Sequence, residues 1–362
     1  MTPKERWLAA IHMQPVDRLP FWPKLSASYA PAQAEPFRGM TLDALHNWMG
    51  SDRHGWVGTG LREVRTTTRL ETAERDGVHT TFYHTPHGDL RLVQRFDAAS
   101  QSWHPVEFPV KTRGDLAVMT AFWRDVRIEV DAAGLAAARE QCRRAGGDQL
   151  LGVGIGESPL MQWVEWLAGI ENAHYLLADH PDEVEELFAA IHAGLVRKAQ
   201  VMAEKNPADV FYMTENTSTT LISPDQFRRH CLRHLTEYGR ILDAAGRPLV
   251  LHMCGHLKAL LPDLAKVPAR AFEAFTSPTL GNTTLLDGRT HCPHTCLIGG
   301  TNAMLWTRPA AEIIARIQAD LDVLPHHRGL VVTSAGVMPP LCRPDTIREV
   351  CEWVKAHPAR MQ

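Results

Sequence analysis

From residue 145 onward, short apolar runs alternate with stretches whose apolar positions recur every three to four residues. The apolar runs fall at 149–155, 209–213, 249–251, 271–275, 295–300 and 330–333. Strands buried on both faces read as nearly continuous apolar runs, whereas amphipathic helices show the 3.6-residue period. The helical stretches carry start signals: Pro181 opens one to about 205, Ser223-Pro224-Asp225 one to about 245, Arg308-Pro309 one over 310–321, and Pro344-Asp345 one over 346–356. Strand and helix in alternation predict βα units around a parallel sheet, and six such strands nearly close a barrel.

The first 145 residues supply the remainder, with a helix expected at about 2–12, a strand near 18–22 and a helix near 42–48. Residues 61–108 follow a different rhythm. Apolar and polar residues alternate there around the turn Pro86-His87-Gly88-Asp89, which predicts an antiparallel β insertion covering one end of the barrel. The expected fold class is therefore α/β, a (β/α)8 TIM barrel with an N-terminal antiparallel β insertion, folded as a single domain over 1–362.

Composition narrows the function classes. Hydrophobic residues make 44% of the 362 and charged residues 22%, which excludes a disordered chain. A net charge of −3 leaves no electrostatic footprint for nucleic acid or an anionic membrane surface. No apolar run is long enough to span a bilayer and no signal-peptide pattern is evident. Seven scattered cysteines, an odd number, suit a reducing cytoplasm better than a disulfide framework.

In a barrel of this kind the chemistry sits at the C-terminal ends of the strands. The polar residues there are Glu157, Glu215, Asn216, His252, Cys254, Glu273, Asn302 and Ser334. His252 and Cys254 stand two apart, a spacing that points both the same way on a strand, and imidazole and thiolate are preferred Zn2+ ligands. Glu273 lies inside Ala271-Phe272-Glu273-Ala274-Phe275, where a carboxylate is costly to bury without a partner or a metal. Glu215 and Glu157 are candidates to orient a substrate or exchange its protons. The louder cluster His291-Cys292-Pro293-His294-Thr295-Cys296 precedes its strand, as does His326-His327, so both fall on the stability face. Phosphate loops, dinucleotide fingerprints and nucleophile elbows are absent.

These residues resemble the uroporphyrinogen decarboxylase superfamily, and within it the branch of cobalamin-dependent methyltransferases. The resemblance rests on Glu5-Arg6-Trp7-Leu8-Ala9-Ala10 with Pro15-Val16-Asp17-Arg18-Leu19-Pro20, on Ser223-Pro224-Asp225-Gln226-Phe227, on His252-Met253-Cys254-Gly255, on Leu297-Ile298-Gly299-Gly300 and on Gly336-Val337-Met338-Pro339-Pro340. It implies a TIM barrel and a zinc held by His252, Cys254 and a distant cysteine. The position of that cysteine falls on Ala335, which leaves Cys342 or Glu273 as the third metal ligand. The implied reaction is methyl transfer between a corrinoid, free or on a partner corrinoid protein, and a small thiol or methoxylated substrate. The alternative is a metal-free lyase of the decarboxylase type acting on a small carboxylated substrate. The decarboxylase's arginine-rich substrate loop has no counterpart in Phe21-Trp22-Pro23-Lys24-Leu25-Ser26.

Overall fold

The computed structural model describes residues 1–98 and 102–362. Eight parallel strands run in the order β1 (Phe21–Trp22), β2 (Arg53–Trp56), β3 (Gln149–Gly156), β4 (Val210–Thr214), β5 (Leu249–His252), β6 (Ala271–Phe275), β7 (Cys296–Gly300) and β8 (Leu330–Thr333). From β2 to β8 each pairs with the next, and β8 pairs with β1. The ring closes at the start of β2, where the Asp52 N–H donates to the Phe21 carbonyl at 2.8 Å. This is the (β/α)8 barrel expected from the alternation. β2 is the strand that periodicity missed, because Arg53-His54-Gly55-Trp56 is too short and too polar to read as an apolar run.

Side chains alternate between two apolar layers, as strand geometry requires. The lumen holds Leu150, Val210, Tyr212, Val250, Ala271, Cys296, Ile298, Val331 and Trp22, with Trp7, Ala10 and Ile11 of helix Pro3–Ile11 plugging its floor. The other parity, including Leu151, Val153, Phe211, Leu251, Phe272 and Leu297, packs against the helices. Burying each large side chain of this kind contributes roughly 1.5–3 kcal/mol.

An ion cluster pins the seam between β1 and β2. Asp52 is fully buried and takes Arg6 Nη1 at 2.5 Å, Arg18 Nη1 at 2.7 Å and the Phe21 N–H at 3.0 Å. A buried carboxylate is tolerated when paired and hydrogen-bonded in this way.

The outer helices follow the expected boundaries closely, with Pro181–Lys205 as read and Ala310–Asp322 and Pro344–Ala356 within a residue or two. The stretch read as one helix from Ser223 to about 245 is two, Pro224–His230 and Leu232–Ala244, interrupted at Cys231. The insertion is a four-stranded antiparallel meander, Arg69–Arg75, Val78–Thr85, Gly88–Asp97 and Ser102–Glu107. The antiparallel region extends further than 108, since Leu61–Val64 pairs with Arg127–Val130 in a separate ribbon. Residues 99–101 of the expected insertion lie outside the described residues. The meander leans on helix Arg113–Arg124, and Phe96 shares an open cleft with Ser26, Ser28 and Pro340 from loops at the mouth of the barrel. Among the described residues no helix is long and apolar enough to cross a membrane.

Candidate active site at the barrel mouth

Parallel pairing sets Thr214, His252, Glu273 and Ile298 level with one another across β4 to β7. The register therefore carries His252 and Glu273 side by side into the top of the lumen, above the Tyr212 layer. The Glu273 carboxylate is buried and accepts from His252 Nδ1 and, at 2.9 Å, from Lys24 Nζ. Lys24 follows β1 with the parity of Trp22, which brings an ammonium from the N-terminal region to a carboxylate 249 residues away. Burial by itself opposes an imidazolium at His252, but the Glu273 charge overcomes it and raises the pKa to about 9. Burial likewise opposes the Glu273 carboxylate, and Lys24 with His252 outweighs it, lowering its pKa to about 2.

Strand β5 ends at His252, so Cys254 stands on the following loop, solvent-exposed and with its sulfur within hydrogen-bonding reach of the His252 ring. The Cys254 S–H donates to Asn216 Oδ1 at 3.3 Å, and Asn216 Nδ2 donates to Glu165 Oε2 at 3.0 Å. A continuous polar chain thus runs Lys24, Glu273, His252, Cys254, Asn216, Glu165 around the mouth. Glu165 sits in the π-helical turn Trp163–Leu167, and its Oε1 is buried with no hydrogen-bond partner among the described residues. Burial raises its pKa to about 7. π-turns and left-handed backbone at non-glycine residues concentrate at functional sites. Three such left-handed residues ring this mouth: Asn216 (φ 43°), Ala274 (φ 60°) and Ala335 (φ 60°).

The other candidates separate into roles. Glu215 is fully buried, accepting from the Ser158 N–H at 2.7 Å and from the Cys231 thiol, so it ties β4 to the loop after β3. Burial raises its pKa to about 7. Glu157 lines a cleft of about 360 Å3 shared with Tyr83, Trp123, Trp166 and Lys198. Burial, reinforced by the Glu165 charge, raises its pKa to about 8. Cys342 is buried, its thiol directed to the Arg343 carbonyl and its own carbonyl held by the Tyr29 hydroxyl at 2.6 Å. Asn302 caps the turn Ala303–Thr307, and Ser334 donates to the Gly336 carbonyl. Cys292 and Cys296 are buried, and His327 bonds backbone at Leu321 and Arg360.

A catalytic zinc takes three protein ligands and an open position. His252 and Cys254 bring two donors of the right chemistry together, with Nδ1 braced by a carboxylate as the second nitrogen of a ligating imidazole usually is. Glu273 serves as that brace, already engaged by Lys24. Among the described residues no three His, Cys, Asp or Glu side chains converge as a metal set. The pair thus fits two positions of a zinc site, and the described side chains supply no third.

Sequence reasoning missed Lys24 and Glu165. For Lys24 the signal was its two-residue offset from Trp22; for Glu165 there was none, since a π-turn has no apolar period of its own.

An eight-stranded parallel barrel with its polar residues gathered at the strand C-termini is the architecture of TIM-barrel enzymes. The profile described as Uroporphyrinogen decarboxylase (URO-D) matches residues 133–357, and the chain belongs to that family. No curated protein matches the sequence. Among solved structures, a methyltransferase from Methanosarcina mazei superposes with a TM-score of 0.59 at 16% identity, over 98% of this chain and 99% of that one. A protein described as a vitamin-B12 independent methionine synthase from Listeria monocytogenes gives a TM-score of 0.41 at 12% identity, over 94% and 99%. The first of these shows a shared fold.

Proposed function

We propose that the protein is a methyltransferase that moves a methyl group between a corrinoid co-substrate and a small thiol or methoxylated substrate at this mouth. The observation that carries the reading is the pairing of an exposed thiol, Cys254, with an imidazole, His252, braced by Glu273. His252 and Cys254 are the residues that would hold Zn2+, whose chemistry when bound is to lower the pKa of the acceptor. In the thiol direction the S–CH3 bond forms as the cobalt–carbon bond breaks, and cobalt leaves as Co(I). The acceptor's proton needs a base that is half ionised near neutrality, which suits Glu165 and, through the adjoining cleft, Glu157. Lys24 offers a cation for an anionic substituent, and Asn216 fixes the thiol at one end and the Glu165 carboxyl at the other.

A second reading is a lyase of the decarboxylase type on a small carboxylated substrate. It is favoured by Lys24 at the same mouth as carboxyl groups that remain partly protonated near neutral pH and could deliver a proton to a carbanion. One experiment separates the two. Purified protein and a His252→Ala/Cys254→Ala variant are assayed for bound metal and mixed with methylcobalamin and a panel of thiols. Zinc lost in the variant and a thiol-dependent change in the corrinoid spectrum support methyl transfer. Absence of metal in both preparations with an unchanged spectrum would overturn it in favour of the lyase.

A further inference from the structure

Along β3 the lumen is filled at one step and open at the next, and the change falls on two glycines. Residues paired in parallel register share a face, so Gly152 beside Val210 and Gly154 beside Tyr212 both face the lumen. A Cβ built on Gly152 would meet Tyr212 Cε2 at 2.9 Å and His54 Cε1 at 3.1 Å, so that layer is closed. On Gly154, one step nearer the mouth, a Cβ meets nothing within 4 Å among the described residues, and its φ lies outside the left-handed region. Only the side chain's absence, and no backbone demand, distinguishes the position.

The wall beside this gap is aromatic. Trp56 pairs with Gly152 and therefore also faces the lumen, its ring 4.7 Å from Tyr212 at an interplanar angle of 58°. It is 50% exposed, unusual for a tryptophan at the top of a barrel core. Lys24, whose ammonium meets Glu273 one step nearer the mouth than the Tyr212 layer, is partly exposed and makes one ion pair among the described residues, to Glu273, so N–H donors remain. Trp56 and Lys24 both lie outside the stretch 133–357 that matches the family profile.

We propose that the gap over Gly154, walled by Trp56, is a recognition slot for a flat ring, with Lys24 taking the ring's anionic substituent, so that the substrate is a small monocyclic aromatic acid. This rests on the mouth being the active site and narrows what binds there. Gly154 sets the size of the ring and Trp56 its planarity. Stacking beyond simple burial favours an aromatic ring over a saturated one by about 2- to 10-fold.

The test uses the full chain with benzoate and cyclohexanecarboxylate as probes, monitored by calorimetric titration and ligand-observed NMR. Benzoate is expected to bind about 2- to 10-fold more tightly than its saturated analogue. Trp56→Ala should equalise the two probes, and Gly154→Val should abolish binding of both with an unchanged thermal midpoint. Should Gly154→Val fold poorly, Gly154→Ala adds one methyl into open space and should weaken benzoate with the fold intact. Failure of the wild type to bind benzoate, equal binding of both probes, or benzoate binding untouched by either Gly154 variant would overturn the slot. Benzoate binding with no methyl transfer from methylcobalamin would leave the slot standing and remove the proposed reaction; methyl transfer without benzoate binding would do the reverse.

Discussion

Replacing Glu273 by glutamine removes a charge while keeping the volume, and both groups that the charge holds are visible. The carboxylate is buried, with Lys24 on one oxygen and His252 on the other. Burial and the Lys24 ammonium both oppose an imidazolium at His252, yet its pKa stands at about 9 against an ordinary 6.5, because of the Glu273 charge first and the Cys254 hydrogen bond after it. At about 1.36 kcal/mol per pH unit, that rise corresponds to about 3 kcal/mol of preference for the charged ring. In Glu273→Gln only the Cys254 hydrogen bond still favours the charged ring against burial and Lys24, so the imidazole should titrate well below 9. A raised histidine pKa stabilises the fold fully below 6.5 and loses that contribution as pH rises through 9; the lowered Glu273 pKa contributes fully above 4.5 and is lost as pH falls through about 2. The pair is thus at full strength between about pH 4.5 and 6.5, where the variant should be less stable by about 3 kcal/mol, the cost expected for breaking a buried pair. The assay is urea unfolding of chelator-treated protein at pH 5.5, 7.5 and 9.5, with NMR titration of the His252 ring protons. The stability gap should narrow across that series. A ring that still titrates near 9 in the variant, or a gap that widens with pH, would refute the reasoning.

Cys254 is the one exposed cysteine of seven, so native protein should take up a single equivalent of iodoacetamide rapidly, and Cys254→Ser should abolish this; two fast-reacting thiols would contradict the structure. Asp52→Ala strands Arg6 and Arg18 at the seam of β1 and β2, and chemical denaturation should show a loss of about 3–5 kcal/mol. Gly152→Ala forces a methyl against Tyr212 and His54 and should cost about 1–3 kcal/mol by the same measurement. Glu165→Gln should remove a limb near pH 7 from the rate profile, since burial places the Glu165 titration there; an unchanged limb would assign it to another group.

The parallel barrel was legible because six of its strands are buried on both faces and cannot hide their apolar runs. β2 was not, since His54 and Trp56 face a lumen that accepts polar and aromatic groups. The site was legible where strand parity governs it. His252 and Glu273 share a level because neighbouring parallel strands are in register, and the apolar surroundings of Glu273 announced a buried partner. That partner, Lys24, is a tertiary fact: its two-residue offset from Trp22 turns it toward the lumen, but only the closure of β8 onto β1 brings β6 within its reach. Glu165 and the open space at Gly154 were illegible for the same reason, since one depends on a π-turn and the other on what is missing from its neighbours.

The protons at the mouth also constrain how zinc could be taken up. At neutral pH the His252 ring is charged, and the Cys254 S–H donates to Asn216 Oδ1. Ligation requires a neutral imidazole and a thiolate, so each must surrender a proton. Two charges leave as two arrive, and the net charge shared with Glu273 and Lys24 is conserved; Lys24 need not be displaced for the metal to enter. Zinc uptake at this pair should therefore release two protons per ion near pH 7, and apparent affinity should fall by up to about 100-fold for each pH unit of acidification. Calorimetry in buffers of different ionisation enthalpy counts those protons. Uptake releasing none, or surviving intact in His252→Ala/Cys254→Ala, would place the metal elsewhere and leave the mouth to acid–base chemistry alone.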